Sequence, residues 1–170
     1  TCTYSGNTDL IVKIDSSRVA TITIPNVEWN GSETITFRAT DPGALFAEDA
    51  ASFTVTAVND APVVSDIPDQ SVAEGSIFTT INLDDYVSDL DNTDAEMTWT
   101  ASGNTDLSVT IDGSRVATIT IPDAEWNGSE TITFTATDPG LLFDSDTALF
   151  KVTNINDAPV VADIPGEVIA

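Results

Sequence analysis

The 170-residue sequence has no histidine, a single cysteine (Cys2) and only five lysine and arginine residues. Without histidine the chain lacks the most common general base and an imidazole metal ligand. One cysteine cannot form an internal disulfide. No apolar run approaches the ~20 residues that a membrane-spanning helix requires. These shortages predict a protein without a membrane segment in this stretch of chain, and they argue against an enzyme.

Acidic residues, in contrast, are abundant. The 28 Asp and Glu residues give a formal net charge of -23. A surface this acidic cannot neutralise a phosphate backbone, which excludes nucleic acid as a main partner. Such an acid excess is typical of disorder, of solubility at high salt or of cation binding. The many β-branched residues favour a folded β protein over disorder.

A long internal repeat dominates the sequence. The strings TITIP at 21–25, EWNGSETITF at 28–37 and NDAPVV at 59–64 all recur 97 residues later, and about 50 of 73 aligned positions are identical. This period exceeds that of solenoid repeats, so each complete copy is expected to have its own core. The phase predicts three regions: a partial β-sandwich repeat without its first strands at 1–60, a complete repeat at 61–158 and the start of a third at 159–170.

Within the complete repeat, apolar and polar residues alternate with the period of a half-buried strand. Ile132 and Phe134 are expected to face the core, while Thr131, Thr133 and Thr135 face solvent. Seven strands are predicted in all, separated by turn residues, at 63–73, 76–83, 96–101, 107–111, 115–121, 130–137 and 146–153. Seven short strands in a repeat of this length indicate an all-β, Ig-like sandwich.

The two copies differ on an inward face at one place. Cys2 stands where the second copy has Trp99, and Tyr4 stands where it has Ala101. The two positions are neighbours on the inward face, so a larger side chain at one can fill the space left by a smaller one at the other. We therefore interpret the exchange as one that conserves side-chain volume in the core. The alternative is that Cys2 is a reactive thiol or forms a cross-link.

The linkers carry a family resemblance. Residues 58–63 read VNDAPV and residues 155–160 read INDAPV, and each copy contains a TDPG turn. With the repeat length, these motifs resemble the cadherin-like and bacterial Ig-like tandem repeats of large surface adhesins. The resemblance implies Greek-key β-sandwiches of about seven strands, an extracellular or cell-surface location, neighbouring repeats of the same protein as partners, and Ca²⁺ bound where successive domains meet.

Carried over by position, the resemblance implies two groups of calcium ligands. At the joint near residue 60 they are Glu28, Asn59, Asp60, Asp89, Asp91 and Asp138. At the joint near residue 157 they are Glu74, Asp123, Glu125, Asn156 and Asp157. The linker is one residue and one Asp shorter than the cadherin pattern, and Asn26 stands where the second copy has Asp123. The alternative is that these acids are ordinary loop and turn residues whose charge also increases solubility.

The expected function is mechanical: a non-catalytic stalk whose repeats hold another domain away from a cell surface. Two other functions stay open at this point. Trp29 and Trp126 could stack on sugars in a glycan- or protein-binding module, or could plug the end of each sandwich. The partial repeats at both ends could instead allow self-assembly into a filament by strand exchange. Asn30 and Asn127 begin glycosylation sequons, although Asn-Gly is equally a turn signal.

Overall fold

The structure, a computed structural model, describes residues 1–166. Residues 167–170, the last four of the predicted third repeat, lie outside the described residues. The chain forms two compact units, Thr1–Asn59 and Asp60–Ala170, which we call unit 1 and unit 2. Both are built of β-strands, so the predicted all-β sandwich class is confirmed. Among residues 1–166, no helix combines the length and hydrophobicity needed to span a membrane.

Unit 1 contains five strands. They are β1 (Cys2–Ser5), β2 (Ile11–Ile14), β3 (Ala20–Thr23), β4 (Gly31–Thr40) and β5 (Phe46–Val55). Antiparallel pairing joins them into one sheet of order β1-β4-β5 and a hairpin β2-β3. Its small buried core consists of Leu10, Val12 and Ile35, with Phe37 and Phe53 partly buried against it.

Residues 60–166 of unit 2 form nine strands and two single turns of 3-10 helix. The strands are β6 (Val63–Val64), β7 (Gln70–Ala73), β8 (Ile81–Asn82), β9 (Val87–Ser88), β10 (Thr98–Ser102), β11 (Ser108–Ile111), β12 (Val116–Thr120), β13 (Gly128–Thr137) and β14 (Phe143–Thr153). The 3-10 turns span Leu83–Tyr86 and Asp94–Glu96. The main sheet has the order β10-β13-β14-β7, with β7 parallel to β14; the others are β11-β12-β8 and β6-β9.

The five strands of unit 1 recur in unit 2 as β10 to β14. Gly31–Thr40 and Gly128–Thr137, for example, begin and end 97 residues apart. The predicted alternation is confirmed on β13, where Ile132, Phe134 and Ala136 are fully buried while Thr131 is exposed. Residues Phe78 and Phe150 meet edge-to-face at the centre of the core, with ring centroids 5.2 Å apart.

Two predicted strands are wrong in extent. The predicted strand 63–73 is split into β6 and β7, because Pro68 has no N–H and the N–H of Ile67 donates to the Asp146 carboxylate instead of a sheet partner. Of the predicted strand 76–83, only β8 is present. Thr79 has its backbone N–H and carbonyl satisfied by the side-chain amide of Gln70, at 2.9 and 3.0 Å, which replaces a neighbouring strand.

The interpretation of Cys2 and Tyr4 as core residues is also wrong. Cys2 is exposed and Tyr4 is 40% exposed, whereas Trp99 is 7% exposed. Trp99 belongs to the same buried cluster as Ile67, Phe78 and Met97, whereas the buried cluster of unit 1 contains neither Cys2 nor Tyr4.

Candidate functional site

Some of the acidic side chains of unit 2 form two groups, one near each end of strand β13. Strand β13 runs between these ends, from the loop that follows Asp123 to the turn that begins at Asp138. Its 10 residues span ~30 Å at about 3.3 Å per residue. We call the group at the Asp138 end the N-terminal cluster and the group at the Asp123 end the C-terminal cluster.

The C-terminal cluster brings three carboxylates together. Ligand oxygens of Glu74, Glu125 and Asp157 all lie within 4.8 Å of one another. Because Ca²⁺ binds oxygens at about 2.3–2.6 Å, two ligands of one ion lie at most about 5 Å apart. The separation of these three oxygens is therefore within the range found between ligands of one Ca²⁺ ion.

Two elements and the linker position these residues. Glu74 follows β7, and its N–H donates to the carbonyl of Thr153 at 2.9 Å. The Glu74 carboxylate also accepts the backbone N–H of Ile155 and the side-chain amide of Asn154, each at 2.9 Å. The last strand and the linker are thus tied to the end of β7. Glu125 lies in a turn in which its N–H donates to the Asp123 carboxylate at 3.1 Å.

The electrostatics of this cluster are repulsive. The negative charge of Asp157, followed by that of Glu74, raises the pKa of Glu125, and desolvation and the neighbouring Asp123 act in the same direction. Arg38 pairs with Glu48 and Arg115 with Asp84, and neither ion pair involves a residue of the cluster. Like charges held this close favour a bound cation or a proton.

The other two predicted ligands at this end take different positions. Asp123 lies beside Glu125 and adds to the charge of the cluster. The side-chain amide of Asn156 donates to the carbonyl of Asp157 at 3.3 Å, which makes it a neighbour of the cluster rather than a member of the carboxylate trio. Whether any of the five binds a metal stays a prediction.

The N-terminal cluster is a hydrogen-bonded loop. Asp91 accepts the backbone N–H of Asp60 at 2.8 Å. Asp89 accepts the N–H of Asp91 at 2.8 Å and that of Asn92 at 3.0 Å through the same oxygen, Oδ1. The structure therefore brings Asp60, Asp89 and Asp91 to one place, although they are separated by up to 31 residues.

Two oxygens of this loop are buried without a hydrogen-bond partner. They are Oδ2 of Asp89 and Oδ1 of Asn92, and they make up half of the four such side-chain atoms found in residues 1–166. Buried polar atoms are nearly always satisfied, so an orphan requires an explanation such as an ion. Both atoms are acceptors, the kind of ligand that a hard cation prefers.

The remaining predicted ligands lie on both units. Asp138 is 3% exposed, directly after β13, and its carboxylate accepts the N–H of Leu142 at 2.9 Å. Glu28 and Asn59 belong to unit 1. The N–H of Glu28 donates to the side chain of Asn26 at 3.2 Å, in a turn like that of Glu125 and Asp123.

The structure also assigns roles that the sequence analysis missed. Asn92 was not among the predicted ligands. The carboxylate of Glu130 accepts the backbone N–H groups of Thr105, Asp106 and Leu107 at 2.7–3.2 Å and so closes the loop before β11. Glu33 does the same in unit 1. The signal was present, because the alternation of β13 places Glu130 on the inward face with Ile132.

Several other acids organise the backbone rather than bind a ligand. Asp112 caps the β11–β12 turn by accepting the N–H groups of Ser114 and Val116. Asp144 and Asp146 accept the N–H groups of Val64 and Ile67 at 2.8 and 2.7 Å. Asp112 is thus a turn residue, whereas Asp144 and Asp146 lie on strand β14, and none of the three is among the predicted ligands.

These features define a β-sandwich module with acidic groups at both ends. The chain belongs to the bacterial Ig domain family, whose sequence profile matches residues 59–153. The comparison with curated protein sequences returned no relative. The predicted resemblance to cadherin-like and bacterial Ig-like repeats is thereby confirmed.

Similar solved structures include cadherin ectodomains. The chain aligns with extracellular domains 1–4 of protocadherin gamma B7 at a TM-score of 0.55 and 20% identity, covering 92% of this chain and 42% of that one. For human mucin-like protocadherin domains 1–2 the values are 0.56 and 15%, covering 91% and 85%. The chain thus spans about two fifths of the first of these. At such identities the likeness concerns the fold.

Proposed function

We propose that this chain is a non-catalytic spacer, a set of tandem repeats in the stalk of an extracellular adhesin-type surface protein, whose joints are rigidified by calcium. The observation that carries the proposal is the trio of Glu74, Glu125 and Asp157 oxygens within 4.8 Å. The module repeats after 97 residues and contains no histidine for the usual acid-base or nucleophilic chemistry.

In this proposal each of the two clusters holds Ca²⁺. The C-terminal cluster supplies Glu74, Glu125 and Asp157, with Asp123 beside them. The N-terminal cluster supplies Asp60, Asp89 and Asp91, with Asn92 and Asp138 as further oxygen donors. A contribution of Glu28 and Asn59 to an ion near residue 60 stays a prediction.

Bound calcium supplies the positive charge that these oxygens lack. Without it the carboxylates repel one another, and the linker is attached by hydrogen bonds such as those from Asn154 and Ile155 to Glu74. With it the same carboxylates become shared ligands, which ties the linker to the ends of β7 and β13. The proposed result is a stiff joint in place of a loose one.

The glycan-binding alternative has less support. Trp126 is partly buried against the core of unit 2, and Trp29 occupies the equivalent place in unit 1. A Cβ added to Gly128 would lie 3.0 Å from the Trp126 ring, so this strand passes directly over it. A ring enclosed in this way is better suited to close the end of the sandwich than to stack on a sugar, which requires an exposed face.

Calcium titration by calorimetry, combined with small-angle scattering in calcium and in chelator, tests the proposal. We expect binding, a higher melting temperature and a narrower distribution of interunit distances with calcium. The triple substitution Glu74→Gln, Glu125→Gln and Asp157→Asn should remove one class of binding sites. A control with Asp9→Asn, Asp66→Asn and Asp106→Asn removes equal charge outside both clusters. Equal scattering and melting in calcium and in chelator would show the calcium part to be wrong.

A further inference from the structure

Strand β10 forms one edge of the main sheet of unit 2. It spans Thr98–Ser102 and pairs along its whole length with β13. Among residues 1–166, no strand is hydrogen-bonded to the other side of β10. Because a strand directs its backbone N–H and C=O groups to both of its sides, the five residues of β10 present a row of backbone groups without a partner strand.

This edge lacks the features that usually protect an edge strand from another chain, which are charged side chains, proline and bulges. The sequence of β10, TWTAS, contains neither a charged residue nor proline. The acid that most closely precedes it is Glu96, whose carboxylate accepts the backbone N–H and the hydroxyl of Thr93, each at 2.9 Å. That carboxylate is thus bonded within the preceding 3-10 turn, and β10 itself offers an uncharged backbone edge.

The opposite side of the main sheet shows the protection that β10 lacks. Strand β7 pairs only with the last four residues of β14, so the described residues place no strand on that side of 143–149. This stretch contains two carboxylates, Asp144 and Asp146, that bond to backbone N–H groups. The N–H of Leu149 donates to the Asp69 carboxylate at 2.7 Å. The free stretch of β14 is therefore flanked by charge and partly bonded already, unlike β10.

The outward face of the sheet beside β10 is also uncharged. Each outward side chain of β10 carries a hydroxyl and lies opposite a threonine of β13: Thr98 opposite Thr137, Thr100 opposite Thr135 and Ser102 opposite Thr133. Trp99 and Ala101, which alternate with them, pack in the core. A chain with 28 acidic residues thus has one edge without charge. A second copy, which carries the same negative charge, meets less repulsion there than at the acidic clusters.

We propose that β10 pairs with β10 of a second copy of the chain, antiparallel and with Thr100 opposite Thr100. This register places Thr98 opposite Ser102, so every outward pair joins two hydroxyl side chains, a favourable cross-strand combination. An in-register parallel pairing would instead place Glu96 opposite Glu96, and like charges directly opposite are unfavourable. The contact uses the same surface on both copies, so it closes as a dimer with two-fold symmetry.

The pairing also sets the orientation of the two copies. Strand β13 runs between the two acidic clusters, and β10 is antiparallel to it, so β10 lies along the same axis of unit 2. Antiparallel pairing therefore places two units side by side in opposite orientation and joins their main sheets, with four strands from each copy. The inference goes beyond the spacer function because it assigns a surface through which two copies associate.

Sedimentation equilibrium of the 170-residue chain at up to ~1 mM, in chelator and at low and high salt, tests the proposal. Chelator keeps the test independent of the proposed calcium sites. We expect reversible dimers that increase with salt, because salt screens the repulsion between two copies of formal charge -23. Thr100→Asp and Thr100→Lys should each weaken the dimer by about tenfold or more, since each places like charges opposite one another.

Mixing these two variants tests the register. The mixture should form dimers again, because a carboxylate then faces an ammonium group across the two-fold axis, and this recovery also shows that both variants are folded. Thr147→Asp and Thr147→Lys are the matched controls. Thr147 is exposed on the same sheet face, but it lies on β14, two strands away from the edge. Neither control should change the dimer.

Hydrogen exchange followed by NMR gives a readout for individual residues. Amide hydrogens of β10 that are not bonded to β13 should exchange more slowly at high protein concentration than at low concentration. Those of β11, an edge strand followed directly by Asp112, should not change. A chain that stays monomeric up to ~1 mM at both salt concentrations overturns the proposal. So does a dimer that the Thr147 variants weaken as much as the Thr100 variants, or a mixture of the Thr100 variants that stays monomeric.

Discussion

The carboxylate of Asp91 accepts the backbone N–H of Asp60 at 2.8 Å, which joins the first residue of unit 2 to a loop 31 residues further along the chain. Asp91 is in turn held by Asp89, whose second oxygen is buried without a partner. The entry of the chain into unit 2 and the proposed metal ligands are therefore one hydrogen-bonded structure.

This relationship predicts a local effect of Asp91→Ala. The variant should exchange the Asp60 amide hydrogen about fivefold faster in the absence of calcium, because one hydrogen bond contributes about 1 kcal/mol. Its calcium affinity should fall as well. Hydrogen exchange measured by NMR and calorimetry check the two effects. Asp94→Ala, a nearby acid outside the proposed ligands, is the control and should change neither quantity.

Glu125→Gln should have opposite effects with and without calcium. Without calcium at neutral pH, removal of one charge relieves the repulsion from Asp157 and Glu74, so the melting temperature should rise by a few degrees. With calcium the variant lacks a ligand, so the stabilisation by the ion should shrink.

The pH dependence of that difference follows from the raised pKa of Glu125. A raised folded-state pKa stabilises the fold below the unfolded-state pKa, and this contribution is lost as pH rises through the folded-state value. The advantage of Glu125→Gln in chelator should thus vanish as the pH falls below about 4, where wild-type Glu125 is protonated. Scanning calorimetry in chelator across this range measures it. If Glu125→Gln is more stable than wild type by the same amount at every pH, repulsion from Asp157 and Glu74 is not the cause.

Glu130→Gln should destabilise unit 2 by roughly 1–3 kcal/mol, because hydrogen bonds to a charged acceptor are the stronger kind. Burial of Glu130 raises its pKa, but the three N–H donors from Asp106, Thr105 and Leu107 outweigh burial, and the net pKa is lowered. A lowered pKa gives stability that is present above the unfolded-state value near 4.3 and is lost as pH falls through the folded-state value.

The difference between wild type and Glu130→Gln, measured by urea unfolding, should therefore be largest at neutral pH and shrink in acid. The difference is the useful quantity, since acid also relieves the general repulsion of a chain with 28 acidic residues. Glu33→Gln tests the equivalent hydrogen bonds in unit 1. There the backbone N–H of Asp9 makes the largest contribution to lowering the pKa of Glu33.

Leu141→Gly should stabilise unit 2 by about 0.5–1 kcal/mol. Leu141 has a φ of 71°, a left-handed backbone conformation that is strained for a residue with a Cβ. Its side chain is 77% exposed, so packing in the core does not offset the strain. Leu90→Gly is the matched control, because Leu90 is 72% exposed and is not among the residues with positive φ. It should be neutral or destabilising. Urea unfolding of both variants decides between strain relief and a general effect of glycine.

Much of the fold could be predicted because its signals are local. The alternation of apolar and polar residues on β13 predicted that Ile132 and Phe134 face the core, and both are buried. The strand 63–73 could not be predicted correctly. Its interruption depends on Asp146, a residue 79 positions from Ile67, and no local pattern reports such a contact.

The sequence by itself determined the class of fold, the 97-residue repeat and the acidity of the linkers, since each depends on residue types and their spacing along the chain. Only the tertiary structure decided which acids converge. It brings Glu74 beside Asp157 but turns Asp146 and Glu130 toward backbone N–H groups. The physical reason is that the surroundings of a carboxylate in a β protein depend on which strand ends and backbone N–H groups lie next to it in space, and these come from residues far apart in the sequence.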